Sequence, residues 1–122
     1  MPRILVADDS KLQRAFVRFS LDDIGYEVLE AANGESALEV TRNQSPDCIL
    51  LDLYMPDISG RDVLQTLRSE GIDTPIIIVT ADVEDQTRQQ CLKLGANLVI
   101  NKPKDPQDLV DAIAEVLGSE RT

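Results

Sequence analysis

Residues 48–56 contain an apolar stem that ends in a carboxylate. Residues 48–51 are Cys, Ile, Leu and Leu, with no polar residue among them, and Asp52 follows directly. A stem without alternating polar positions is typical of a strand buried on both faces, as in a parallel sheet. An ionised Asp at the end of such a strand is unfavourable unless cations or hydrogen-bond donors meet it. We therefore expect Asp52 to lie opposite such groups.

Three further apolar runs also end in polar residues. Residues 3–7 lead into Asp8 and Asp9, residues 75–79 lead into Thr80, and residues 97–100 lead into Asn101 and Lys102. In an open parallel α/β sheet, ligands bind at the carboxyl ends of the strands near a topological switch point. The four strand ends therefore predict one shared site with three carboxylates, one hydroxyl and one ammonium.

The composition limits the class of protein and its partners. The chain has 122 residues and a net charge of −10, from 22 acidic and 12 basic residues. This length suits one domain, and we expect residues 1–122 to form a single domain with no output domain. The negative charge disfavours direct binding to nucleic acid or to an anionic membrane surface. The chain shows neither a signal-peptide core nor an apolar run that could span a bilayer, which predicts a cytoplasmic location.

The residue types also exclude some chemistry. Because the sequence contains no histidine, histidine-based acid–base catalysis, histidine metal ligation and phosphohistidine formation on this chain are excluded. Cys48 falls in an apolar strand pattern and Cys91 in a helical one. We therefore expect both to be reduced core residues and not to form a disulfide.

Five strand patterns alternate with five helical patterns. The predicted strands are residues 3–7, 26–31, 48–51, 75–79 and 97–100. This alternation predicts right-handed crossovers and a doubly wound α/β fold, in which a five-stranded parallel sheet carries helices on both faces. The first, third and fourth strands lack a polar face and suit the centre of the sheet. This favours the flavodoxin-like strand order 2-1-3-4-5.

Capping residues and apolar stripes predict where the helices start and which faces they bury. The predicted N-caps are Ser10 (in a capping box with Gln13), Asn33, Ser59 and Asp105, and the fourth helix is expected to start at Asp82 or Val83. The predicted inner faces are Leu12, Ala15, Phe16 and Phe19 in the first helix, Val63, Leu64 and Leu67 in the third, Cys91, Leu92 and Leu94 in the fourth, and Leu109, Ile113, Val116 and Leu117 in the fifth.

The polar strand ends together favour phosphoryl transfer. The carboxylates of Asp8, Asp9 and Asp52 are hard oxygen donors that suit Mg²⁺ better than a soft metal. A divalent ion and the Lys102 ammonium would formally neutralise them, leaving one carboxylate oxygen as a nucleophile. A phosphoryl group on Asp52 would then meet Mg²⁺, Lys102 and the Thr80 hydroxyl, which gives the positioning and charge stabilisation that this reaction requires. Taken singly, Asp8 and Asp9 could instead prepare a helix start, and Lys102 could be a solvated charge.

In this pattern the chain resembles the receiver domain of two-component response regulators, the CheY-like family, over essentially its whole length. The matching motifs, in order and at the family's spacings, are Asp8 with Asp9, then Asp52 followed by Met55, Pro56 and Gly60, then Thr80 with Ala81, and Lys102 with Pro103.

The resemblance implies a role for each matching residue. Asp52 would accept a phosphoryl group from the phosphohistidine of a sensor histidine kinase or phosphotransfer protein, or from a small donor. Asp9, Asp52 and the backbone carbonyl of Tyr54 would ligate Mg²⁺ directly, and Asp8 through water. Lys102 would contact the phosphoryl oxygens, with a cis bond to Pro103.

The resemblance also implies a conformational switch. Thr80 would move inward toward the phosphate and bias a rearrangement of the fourth helix, the fifth strand and the fifth helix, which would change contacts with a downstream protein. Beyond self-phosphorylation and self-dephosphorylation, no enzyme activity is implied.

Two features of the sequence depart from the commonest family pattern. Val99 stands three residues before Lys102, where many members carry an aromatic residue, so an aromatic rotamer change cannot report phosphorylation here. Tyr54 stands two residues after Asp52, and Val83 stands three residues after Thr80. Both flank the expected path of an attacking water. We expect them to slow dephosphorylation.

Several alternatives stay open. A Mg²⁺-dependent phosphatase with an aspartyl nucleophile would act on external substrates, although the haloacid-dehalogenase type has a second Asp where this chain has Tyr54. A flavin-binding role lacks a glycine- and hydroxyl-rich phosphate loop after the first strand. The receiver could act on a motor, relay phosphate, or be part of a longer protein, and phosphorylation could drive formation of a homodimer.

Overall fold

Five parallel strands and five helices alternate in the residues that the structure describes. The structure is a computed structural model, and it describes residues 1–81 and 84–119. The strands are β1 (Arg3–Ala7), β2 (Glu27–Ala31), β3 (Cys48–Leu51), β4 (Ile76–Thr80) and β5 (Leu98–Asn101). The helices are α1 (Lys11–Asp22), α2 (Gly34–Gln44), α3 (Gly60–Ser69), α4 (Asp85–Lys93) and α5 (Pro106–Ser119).

The sheet has the strand order β2-β1-β3-β4-β5, with every neighbouring pair parallel. The predicted flavodoxin-like α/β fold and the order 2-1-3-4-5 are therefore confirmed. In the register, Ala7 lies opposite Leu51, and Thr80 lies opposite Asn101. Because the central strands end at nearly the same level, the polar residues that follow them are brought to one edge of the sheet.

The core consists of two apolar layers, one on each face of the sheet. Alternate residues of a strand point to opposite faces, so Leu51 belongs to the layer under α2, α3 and α4, whereas Leu50 belongs to the layer under α1 and α5. Cys48 and Cys91 are buried in different layers, and neither forms a disulfide. The prediction that they are reduced core residues is confirmed.

The predicted inner faces of α3 and α5 are confirmed, but the predicted inner face of α1 is wrong. Leu12 is 81% exposed and Phe19 is 71% exposed, whereas Val17 and Leu21 are buried against the sheet. The helix carries two apolar stripes on opposite sides, and the stripe with the larger side chains faces away from the core. Helical periodicity alone could not decide between them.

In α4, Leu94 is half-buried, but Leu92 is 44% exposed, so its predicted position on the inner face is wrong. Cys91 is the buried residue of this helix. The helix starts at Asp85, after an extended Glu84, whereas the sequence predicted a start at about Asp82 or Val83. Asp82 and Val83 themselves lie outside the described residues.

The four predicted N-caps each accept a backbone N–H with their side chain. Ser10, Asn33 and Ser59 each accept from the N–H of the residue three positions later in the chain. Asp105 accepts from the N–H of Gln107. The capping box at Ser10 is only half formed. The N–H of Ser10 donates to Asp8 Oδ1 at 2.9 Å, which takes the place of the expected partner, Gln13.

None of the helices in the described part of the chain is both long and apolar enough to cross a lipid bilayer.

Candidate functional site

The carboxyl ends of β1 and β3 place Asp8 and Asp52 side by side. The N–H of Asp52 donates to the carbonyl of Ala7 at 3.0 Å, which extends the strand pairing by one residue. One carboxylate oxygen from each of Asp8, Asp9 and Asp52 lies within 4.8 Å of the other two. Asp8 and Asp52 are buried, whereas Asp9 is exposed. The three acids that the sequence assigned to one site therefore do come together.

Lys102 supplies the positive charge of this site. Its Nζ lies 3.3 Å from Asp8 Oδ2 and 3.6 Å from Asp52 Oδ2. Partial burial acts to lower the pKa of Lys102, but the carboxylates of Asp52 and Asp8 outweigh it and raise that pKa. The ammonium therefore stays charged at neutral pH.

The charges of the acids are not fully compensated by this lysine. Burial raises the pKa of Asp52 and the neighbouring Asp8 raises it further, although Lys102 acts in the opposite direction. Three carboxylates against one ammonium leave an excess of negative charge at a partly buried site. Such an excess favours the binding of a cation.

Gly60 packs against the main chain of Asp52 and Leu53 and holds it in place. The N–H of Gly60 donates to the carbonyl of Leu53 at 2.8 Å. A Cβ atom at position 60 would lie 2.2 Å from the carbonyl oxygen of Asp52 and 2.8 Å from the Cα of Leu53. The start of α3 therefore packs directly on the backbone of the acidic residue, and only glycine permits this approach.

Thr80 and Tyr54 border the acidic cluster. Thr80 is fully buried at the end of β4, two residues beyond the Leu51–Ile78 pair, and its carbonyl accepts from the N–H of Lys102 at 2.9 Å. The N–H of Tyr54 lies 3.5 Å from Asp52 Oδ1, which is long for a hydrogen bond, and the Tyr54 side chain is 56% exposed. Both residues thus lie at the same edge as Asp52.

Comparison with known proteins identifies this arrangement. Residues 4–114 match the family described as the response regulator receiver domain. The chain belongs to this family. Among solved structures, it is similar to the chemotaxis protein CheY4 of Vibrio cholerae (32% identity, TM-score 0.90, 96% of this chain and 99% of that one). It is also similar to a CheY-like receiver domain protein of Methanospirillum hungatei (29% identity, TM-score 0.92, 99% and 97%).

Curated relatives extend this similarity to longer proteins. The phosphate regulon transcriptional regulatory protein PhoB of Pseudomonas aeruginosa is 38% identical over 116 residues, 93% of this chain and 51% of PhoB. The probable transcriptional regulator ycf27 of Porphyridium aerugineum is 42% identical over 115 residues, 94% of this chain and 48% of that protein. This receiver domain therefore spans about half the length of the curated relatives it matches.

The acidic cluster of the receiver domain fits a hard divalent cation. The donor atoms are carboxylate oxygens, which Mg²⁺ prefers as ligands, and the excess negative charge of the cluster favours the binding of a cation. Asp8, Asp9 and Asp52 would hold the ion. The carbonyl of Tyr54 as a further ligand, and the indirect role of Asp8, stay predictions.

Two expectations at this edge of the receiver have different outcomes. None of the peptide bonds in residues 1–81 and 84–119 is cis, so the expected cis link between Lys102 and Pro103 is wrong. A trans X–Pro bond is lower in energy by about 0.5–1 kcal/mol unless its surroundings favour cis. Val99 is buried in the core, and the absence of an aromatic readout at this position stays a prediction. The role of Val83 lies outside the described residues.

Sequence reasoning missed two residues that hold the loops of the site. Arg14 donates from Nη1 to the carbonyl of Asp8 at 2.7 Å. Asp57 accepts from the N–H groups of Gly34 and Glu35 at 2.8 and 3.0 Å, which ties the loop after β3 to the start of α2 and lowers the pKa of Asp57. From the sequence alone, Arg14 and Asp57 are indistinguishable from ordinary surface charges, because neither contact follows a local spacing rule.

Proposed function

We propose that this receiver domain accepts a phosphoryl group on Asp52 in a Mg²⁺-dependent reaction. The observation that carries the proposal is the placement of a buried Asp52 carboxylate between two further acids and the Lys102 ammonium. An Asp52 oxygen would attack the phosphorus of the donor. The new O–P bond would form as the bond from phosphorus to the donor's imidazole nitrogen, or to acetate oxygen, breaks.

The residues of the site suit this transfer. Lys102 would stabilise the negative charge on the phosphoryl oxygens, and its 3.6 Å separation from Asp52 already places it beside the acceptor. The bound ion would supply further positive charge for the phosphoryl oxygens. Gly60 and the pairing of Asp52 with Ala7 hold the acceptor in place, so little of the protein has to move before transfer.

A sensor histidine kinase or a phosphotransfer protein is the proposed donor, and the exposed stripe of α1 is its proposed docking surface. Leu12, Phe16 and Phe19 line one open groove with Pro103 and Lys104, which follow Lys102 in the chain. The groove therefore extends to the segment that directly follows Lys102. Exposed apolar side chains that share one groove are typical of a protein–protein interface.

The proposed output is a change on the surface formed by α4, β5 and α5. A movement of Thr80 would reach Lys102, just after β5, through the hydrogen bond that the Lys102 N–H donates to the Thr80 carbonyl. Arg88 of α4 donates to the carbonyl of Val99 at 2.8 Å, so α4 is linked to β5 by a polar contact. A helix that buries little apolar surface can shift at low cost. A downstream protein or a second copy of the chain would read this shift, and we place the reaction in the cytoplasm.

Intact-protein mass spectrometry after incubation with acetyl phosphate and Mg²⁺ tests the proposal. We expect one added phosphoryl group on the wild-type chain, none without Mg²⁺, and none on Asp52→Asn. The matched control is Glu39→Gln, which changes an exposed acid of α2 outside the cluster. A wild-type chain that is not modified would contradict the proposal, and sustained turnover of a phosphate ester would instead favour the phosphatase alternative.

A further inference from the structure

We propose that Arg14 is a positioning residue for the metal site. It holds the backbone of the segment that carries Asp8 and Asp9, and it is itself oriented by Glu30. The inference rests on the proposed function, because it concerns the Mg²⁺ affinity of the same site.

The contact is between a side chain of α1 and the backbone of the acidic segment. Arg14 Nη1 donates to the carbonyl of Asp8 at 2.7 Å, and the Arg14 side chain is only 15% exposed. Asp8 follows β1 and α1 begins at Lys11, so the segment between them belongs to neither element. Its conformation is fixed by few bonds, among them the Asp8 N–H to Ala31 at 3.0 Å and the Ser10 N–H to Asp8 at 2.9 Å.

Glu30 of β2 sets the orientation of the guanidinium group. Arg14 Nε donates to Glu30 Oε1 at 3.0 Å, while Nη1 of the same group reaches Asp8. A guanidinium is planar and rigid, so a partner at Nε fixes the direction in which Nη1 points. Hydrogen bonds from Arg18 lower the pKa of Glu30, against the effect of burial, and Arg14 lowers it further. Glu30 is therefore an ionised anchor.

Arg18 provides a natural control for this arrangement. It donates to Glu30 Oε2 from Nε at 3.0 Å and from Nη2 at 2.7 Å, and its third contact is the carbonyl of Val28 at 3.3 Å. Both arginines thus pair with the same carboxylate and carry the same charge. In the contacts of the described residues, only Arg14 also binds the acidic segment.

Charge and positioning predict opposite effects of removing Arg14. Loss of a positive charge near the acids would strengthen the binding of Mg²⁺ by simple electrostatics. Loss of the bond to the Asp8 carbonyl would let the segment and its two carboxylates reorient, which would weaken the binding. Outer residues that orient metal ligands commonly contribute 10- to 100-fold in affinity. The positioning effect should therefore exceed the effect of the charge.

Isothermal titration calorimetry with Mg²⁺ on the full chain tests the inference. We expect Arg14→Ala to weaken Mg²⁺ binding about 10-fold and Arg18→Ala to change it by less than about 2-fold. Arg14→Lys keeps the charge but cannot hold Asp8 and Glu30 with a rigid fork, so it should weaken binding by an intermediate factor. If Arg14→Ala does not fold, the comparison between Arg14→Lys and Arg18→Ala carries the test.

Amide hydrogen exchange of the metal-free chain provides a second readout. The amides of Asp8 and Ser10, which are hydrogen-bonded in this segment, should exchange faster in Arg14→Ala than in Arg18→Ala, whereas those of β3 should not differ. Equal Mg²⁺ affinities of the Arg14 and Arg18 variants, with wild-type binding intact, would overturn this inference alone. A wild-type chain that binds no Mg²⁺ would overturn the proposed function and this inference with it.

Discussion

Lys102 Nζ lies 3.6 Å from Asp52 Oδ2, close enough for an ion pair but short of full neutralisation of the acids around it. The same ammonium is shared with Asp8 at 3.3 Å. Because one ammonium faces three acids, the site favours a bound cation, and without one its charges oppose folding. This balance leads to measurable consequences for stability as well as for phosphoryl transfer.

Asp52→Asn should stabilise the metal-free protein at neutral pH. The folded-state pKa of Asp52 is raised. The protonated carboxyl therefore contributes stability at a pH below the unfolded pKa, which is about 3.9. This stability is lost as the pH rises through the folded pKa. Replacement of the charge by an amide should raise the free energy of unfolding by about 1–2 kcal/mol at pH 7 in urea denaturation with EDTA. The gain should shrink as the pH falls toward 4.

The control for this prediction is Glu39→Gln, which removes one negative charge from an exposed position on α2. It should change the stability much less than Asp52→Asn. Saturating Mg²⁺ should reduce or reverse the advantage of Asp52→Asn, because only the wild type keeps all three acids for the ion. A lower stability of Asp52→Asn than of wild type at pH 7 in EDTA would contradict the electrostatic account.

Phe19→Ser should impair phosphorylation by a partner kinase while leaving phosphorylation by acetyl phosphate unchanged. Phe19 is 71% exposed and lies in the α1 groove, so its loss removes apolar contact area with a docked protein and little else. Loss of an interface aromatic commonly weakens binding by 1–3 kcal/mol, which corresponds to about 5- to 150-fold in the specificity constant for the kinase. Leu92→Ser on α4 is the matched control, and an equal defect in both variants would refute docking on α1.

Gly60→Ala should destabilise the fold and displace the backbone of Asp52. The added Cβ would overlap the carbonyl oxygen of Asp52 at 2.2 Å, so the backbone at the proposed phosphorylation site has to move. We expect a loss of about 3 kcal/mol or more in thermal or urea unfolding, at the upper end for an overpacked site. Gly118→Ala in α5 meets no atom within 4 Å and should be neutral or stabilising. Equal stability of the two variants would argue against this packing.

Tyr54→Ala should speed the loss of the phosphoryl group. The Tyr54 side chain is 56% exposed and stands two residues after Asp52, where it can hinder an approaching water without being part of the core. The decay of phosphorylated protein, followed by mass spectrometry after removal of the donor, should be faster in Tyr54→Ala than in wild type. Tyr26→Ala, in a half-buried position at the opposite end of the sheet, should not speed it. Slower decay in Tyr54→Ala would refute the hypothesis.

The sequence predicted the site well because its parts follow from simple rules. Apolar strands with polar ends, parallel pairing and the acidic residues were enough to place Asp8, Asp9, Asp52 and Lys102 together. These features depend on residue type and on the level at which each strand ends. They do not depend on the details of side-chain packing.

The errors arose where two local solutions compete or where a contact spans a long distance in the chain. In α1 two apolar stripes compete, and the choice of Val17 and Leu21 for the core depends on how the helix lies on the sheet. The half-formed box at Ser10 reflects a competing acceptor, Asp8. The contact from Arg14 to Asp8, and the contacts from Asp57 to α2, depend on where long side chains or loops reach after folding. No spacing rule encodes these.

Identification of the modified residue tests the central claim most directly. Phosphorylated wild-type protein would be reduced with borohydride, which converts an aspartyl phosphate to homoserine, and then digested for peptide mass spectrometry. We predict homoserine at position 52, only in samples that contained Mg²⁺. Homoserine at position 8 or 9, or a phosphoryl group on a serine or threonine with position 52 unchanged, would contradict the assignment of Asp52 as the acceptor.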